Sequence, residues 1–76
     1  MEENQSKMAY EIVQNLGVLS ESGSWKKELN IVQWGDNIAK YDIRAWNAEH
    51  TKAGRGITLS AEELKVLKTI LDSMDW

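Results

Sequence analysis

The heptapeptide KYDIRAW, Lys40 to Trp46, gathers the side chains best equipped for chemistry in this chain. At period two, Lys40, Asp42, Arg44 and Trp46 share one face of a strand and leave Tyr41, Ile43 and Ala45 on the other. Upstream, WKKELNIVQW alternates in the same way, with Lys26, Glu28, Asn30, Val32 and Trp34 set against Leu29 and Ile31. Paired antiparallel, the two segments lay two tryptophans and several cations on one surface. Such a surface suits a polyanion with flat bases, because cations track phosphates and aromatic faces stack bases at about 1–3 kcal/mol each. Two other uses fit the same residues: Trp34 and Trp46 could pair across the hairpin as sheet glue, or the face could receive a protein. Glu28 and Asp42 count against a plain phosphate track. They fit a role in orienting the cations or in accepting hydrogen bonds from bases.

Catalysis is poorly supplied. His50 stands in a polar loop beside Glu49 and reads as a solvated loop residue, while Ser20, Ser22 and Ser24 fall in a turn with no base at a recognisable spacing. Asp36 belongs to a turn and Asp42 alternates with cations, so neither is half of an acid–base pair. Gly54-Arg55-Gly56 lacks the Lys-Ser/Thr end of a phosphate loop. With no cysteine and one histidine, thiolate and histidine-cluster metal sites are excluded as well. The expectation is a binding protein, not an enzyme, with no cofactor and no metal.

Net charge hides a division along the chain. The whole carries −3, yet residues 25–58 hold six cations against four acids, and three of the four tryptophans. Residues 1–24 carry −3 and residues 59–76 carry −2. At 76 residues there is room for one small domain, and a chain of that size buries only about 60% of the surface its unfolded form exposes. Disulfides, metals or self-association usually make up the deficit, and here self-association is the support left. The segment MEENQSKMAY has neither the basic start nor the apolar core of a signal peptide, and no apolar run is long enough to span a bilayer. A cytoplasmic protein with no membrane partner is expected.

These side chains need elements to position them. Residues 1–9 read as a flexible arm and 10–76 as the domain. YEIVQNLGVL predicts a first strand with Tyr10, Ile12, Leu16 and Val18 on one face, followed by the turn cluster SESGS. A second strand covers Trp25 to Trp34, Gly35-Asp36-Asn37 makes a hairpin turn, and a third strand covers Ile38 to Trp46. Asn47 to Gly56 reads as a polar loop, and Ile57-Thr58-Leu59 with the preceding Gly56 as a short fourth strand. Ser60 and Glu63 match a capping box and open a helix through about Met74. On it, Leu64, Leu67 and Leu71 suit the domain's own sheet, whereas Val66, Ile70 and Met74 widen the apolar stripe enough to meet a second copy. Four strands and then a helix make an α+β unit with a meandering antiparallel sheet.

KYDIRAW, a polar loop and GRGITLSAEELKVLKTIL together closely resemble the core of the positive cofactor four family of transcriptional coactivators, and WKKELNIVQWGDNIAKYDIRAW looks like its bacterial YdbC-type members. The likeness runs from about Tyr10 to Met74. It implies a curved four-stranded antiparallel sheet with a closing helix, dimerising mainly through the helices. It also implies binding of single-stranded DNA with little sequence preference, in transcription regulation or DNA replication and repair. Carried over by position, Trp34 and Trp46 match stacking aromatics, Lys26 and Lys27 match cations early in the second strand, and Arg44 matches the arginine of the Asp-Ile-Arg motif. Lys52 and Arg55 match the basic loop before the fourth strand; Trp25 lies just outside the pattern. With Asn30 and Lys40 these make the candidate interface. Expected partners are single-stranded DNA, a second copy of the chain and the transcription machinery, with RNA or a protein ligand on the same face as the alternative. Trp46→Ala is expected to weaken binding by about 1–3 kcal/mol and to leave the fold intact.

Overall fold

The computed structural model describes residues 9–76. Four strands, β1 (Tyr10–Ser22), β2 (Trp25–Trp34), β3 (Lys40–Trp46) and β4 (Ala53–Leu59), precede one helix, α1 (Ala61–Asp72). They form a single antiparallel meander in the order β1-β2-β3-β4. The expected arm over residues 1–9 lies outside the described residues except for Ala9, whose carbonyl accepts a hydrogen bond from Gly35 N–H at 2.7 Å.

The first strand departs from simple alternation. It spends 13 residues against the 10 of β2, and its register shifts three times, passing over Val13, Leu16 and Leu19. Each is a β-bulge, which bends the strand and increases its twist. Asn15, not Leu16, therefore takes the inward position, opposite Asn30. Period-two counting placed Leu16 with Tyr10, Ile12 and Val18 because it cannot see inserted residues. The strand also runs on to Ser22, through part of the expected turn.

Curvature has a large effect. Trp34 lies opposite Tyr10 and Trp46 opposite Lys26. That separates the two tryptophans by eight positions of β2, about 26 Å of extended chain. Their ring centroids nevertheless sit 6.1 Å apart. The sheet curls until the two ends of its concave face meet.

The junction of β3 and β4 explains the glycines of GRGITL. A Cβ on Gly56 would lie 2.2 Å from both the Arg44 Cβ and the Ile43 carbonyl oxygen, so only glycine fits there. β4 begins at Ala53, earlier than the expected Gly56, and the ladder shifts register between Arg44 and Trp46. Small residues with low strand propensity hide this part of the strand.

Helix α1 opens with the expected capping box: Glu63 N–H donates to the Ser60 hydroxyl at 3.1 Å and Ser60 N–H donates to the Glu63 carboxylate at 2.8 Å. It ends at Asp72, where Ser73 caps it. The helix does not close on the sheet. Leu64, Leu67 and Leu71 face Leu19, Leu29 and Ile43 across an open apolar groove of about 410 Å³. Val66, Ile70 and Met74 are exposed. Among the described residues the only fully buried apolar side chains are Val32 and Trp46, both on the other, concave face. Within one copy of the chain, the densest packing is thus on the face that carries the tryptophans.

Candidate nucleic-acid interface

The concave face has a floor of buried polar groups. Glu28, Asn30 and Asp42 are almost wholly shielded from solvent, and buried polar groups are tolerated only when hydrogen-bonded. Two networks meet that need. In the first, the Asn30 amide donates to Glu28 Oε1 at 3.0 Å, and the Asn15 amide donates to Asn30 Oδ1 at 2.6 Å and to Glu28 Oε1 at 3.2 Å. His50 Nε2 sits 3.0 Å from both Glu28 oxygens. Burial raises the Glu28 pKa, but the hydrogen bonds from Asn30 and His50 and the nearby charges of His50 and Lys26 outweigh it. The carboxyl stays below its ordinary value and is ionised at neutral pH.

The second network centres on Asp42. Arg44 grips it with two bonds, Nε to Oδ1 at 2.6 Å and Nη2 to Oδ2 at 2.8 Å, the fork geometry that makes arginine–carboxylate pairs strong. Trp34 Nε1 and the Thr58 hydroxyl donate to the same Oδ2 at 3.3 and 3.1 Å. The Arg44 guanidinium also lies 4.8 Å from the centre of the Trp34 ring, a cation–π contact. Asp42 orients this cation, one of the two roles its position allowed.

Above the floor lies an aromatic cluster. The Trp46 ring is nearly parallel to that of Trp34 and is flanked by Tyr10 at 5.3 Å and His50 at 5.7 Å. Tyr10 donates its hydroxyl to the His50 carbonyl. His50 itself adopts a left-handed backbone, φ 57°, which is uncommon outside glycine. Its contacts with Glu28, Trp46 and Tyr10 hold it there. Reading His50 as merely solvated is therefore corrected: it ties the β3–β4 loop to the sheet floor. No spacing in sequence signals that contact, which spans 22 positions.

Of the candidate residues, Lys26, Asn30, Trp34, Lys40, Arg44 and Trp46 share the concave face by register, with Lys26 opposite Trp46 and Lys40 opposite Val32. Their exposure differs from the simple expectation. Trp46 is fully buried, so it is no open stacking platform. The expectation that Trp46→Ala spares the fold is corrected accordingly, since that indole is the largest fully buried side chain. Asn30 is consumed in the floor. Trp25 and Lys27 fall on the opposite face, with Lys27 paired to Ala45 and the Trp25 ring beside Gly54. Arg55 is exposed at the β3–β4 irregularity and Lys52 is exposed in the preceding loop. Among the described residues no cluster of metal-ligating groups occurs.

Comparison with known proteins now bears on this arrangement. Residues 21–70 match the family described as Transcriptional Coactivator p15 (PC4), a span that takes in β2, β3, β4 and most of α1. The chain belongs to that family. An uncharacterized protein of Treponema pallidum (strain Nichols) is 44% identical over 66 residues, covering 86% of this chain and 78% of its own length. That relative is bacterial, in agreement with a bacterial member of the family. No helix among the described residues is long and apolar enough to cross a membrane.

Proposed function

We propose that the chain binds single-stranded DNA with little sequence preference, through the concave face of a homodimer and without chemistry. The observation that carries this reading is the Trp34 indole, partly buried and backed by Arg44, on a face whose register also holds Lys26 and Lys40. Membership of the coactivator p15 family supports it. Lys26, Lys40 and Arg44 draw phosphates to the channel, with Lys52 and Arg55 extending the basic rim. Trp34 is the platform a base meets first. Trp46 stacks a base only after Tyr10 and His50 move aside. Trp25 and Lys27, on the opposite face, lie outside this channel.

The second copy is supported by the exposed stripe Val66, Ile70 and Met74 and by the open groove beside it. Transcription regulation, replication or repair, in the cytoplasm, all supply the unpaired strand this face suits. The test is tryptophan fluorescence during titration with a 20-nucleotide single strand, and with duplex, at two salt concentrations. Quenching by the single strand alone is expected, with a log–log salt slope near about −2 to −3 for three or four phosphates contacted. No quenching at low salt would refute the reading.

A further inference from the structure

Beside the aromatic cluster, Ile12, Asn15, Val18, Lys26, Glu28 and His50 line a cavity of about 480 Å³, within the range of small-molecule sites. Its walls are apolar at Ile12 and Val18. Its floor is a buried carboxylate, held ionised by its neighbours. A negative charge at the floor of a channel for a polyanion opposes phosphate, so any part of a strand that reaches it is one that donates hydrogen bonds. The two acids of this face differ in what they have left to offer. Asp42 is filled by Arg44, Trp34 and Thr58. Glu28 concentrates its load on Oε1, which meets Asn15, Asn30 and His50, whereas Oε2 meets His50 alone among the described residues. A carboxylate oxygen has two lone-pair sites, so Oε2 has capacity for one more bond; with Glu28 only 3% exposed, a base reaches it once His50, 3.0 Å from that oxygen, moves aside.

We propose that this cavity takes one unstacked base bearing an exocyclic amino group, cytosine in preference to thymine, with Glu28 Oε2 accepting from the amino group. Thymine places a carbonyl oxygen where cytosine has N4–H₂, and two acceptors then face each other. Carboxylates accept from cytosine N4 in base recognition generally. Lys26, on the cavity's lining, meets the phosphate of the same nucleotide. The inference rests on the single-strand reading above and lays a base bias over otherwise base-tolerant stacking.

The experiment compares 20-mers of 5-methyldeoxycytidine and of thymidine, whose bases differ at position 4 and in the N3 protonation that goes with it. Titrations run at pH 8, where the cytosine strands do not pair through shared protons. The wild-type protein should bind the 5-methylcytosine strand at least about fivefold tighter, the lower end of a specific base contact. Glu28→Gln, checked for folding by circular dichroism, should bring the ratio near one. Equal affinities or a preference for thymidine in the wild type would overturn the inference while leaving the binding face standing, as would an undiminished preference in folded Glu28→Gln. Binding of neither strand would overturn the binding face and the inference together. If Glu28→Gln does not fold, the two-strand comparison on the wild type still decides.

Discussion

Replacing Trp46 by alanine separates the two roles this indole could have. Trp46 is fully buried between Trp34, Tyr10 and His50 and is the largest such side chain in the domain. Truncating a buried aromatic costs about 3–5 kcal/mol, from lost transfer free energy and the cavity left behind. A domain of this length has a total stability of about 4–11 kcal/mol. The substitution therefore removes between about a quarter and all of it, because the only other fully buried apolar side chain among the described residues is Val32. At about 4–8 °C per kcal/mol for a small domain, the midpoint of thermal unfolding should fall by more than about 12 °C, if a transition remains. Circular dichroism melts at fixed protein concentration read this directly; concentration is fixed because self-association shifts a melting point by mass action. Trp34→Ala, at a partly buried position, should cost clearly less. A Trp46→Ala protein that melts with the wild type would refute the reasoning and return Trp46 to the surface.

Other perturbations follow the same physics. Gly56→Ala forces a Cβ to within 2.2 Å of Arg44 and Ile43, and should lower the urea midpoint by an amount equivalent to about 1–3 kcal/mol; an unchanged midpoint would mean that β3 and β4 separate freely. Ile70→Glu, on the exposed helix stripe, should weaken self-association by more than about tenfold in sedimentation equilibrium, since burying an unpaired carboxylate costs more than 1.4 kcal/mol. A dimer that tolerates it uses another face. For Glu28, a folded-state pKa below the ordinary 4.5 means that its ionised form contributes stability above that value, which fades as pH falls through the folded pKa. The melting difference between wild type and Glu28→Gln should be full at pH 6–7 and shrink below about pH 4.5; a constant difference would show that the charge is not what matters.

What the sequence disclosed, and what it withheld, divide along physical lines. Elements set by local pattern were legible: β2 spans Trp25–Trp34 as its alternation and flanking turns imply, and Ser60 and Glu63 marked the helix start through contacts three residues apart. The family likeness, carried by KYDIRAW and GRGITLS, agrees with the match over residues 21–70. The bulges at Val13, Leu16 and Leu19 were hidden, because an apolar residue at a bulge looks like one in an alternating strand. Also hidden was the union of distant groups by sheet curvature. Trp34 and Trp46 meet as stacked rings although they are not cross-strand partners, and His50 reaches Glu28 only once the β3–β4 loop folds over the channel. Long-range polar contacts of this kind have no periodic signature.

The central claim concerns one face of one sheet, and amide chemical-shift mapping tests it most directly. ¹⁵N-labelled protein titrated with a thymidine strand of about 20 nucleotides, long enough for a site of the usual size, would report each backbone N–H and each indole separately. The account predicts shifts at Lys26, Trp34, Lys40 and Arg44 and at the Trp34 and Trp46 indoles, with His50 responding as the cluster opens. Shifts confined to α1 and the outer face of β1, or none at all, would contradict it.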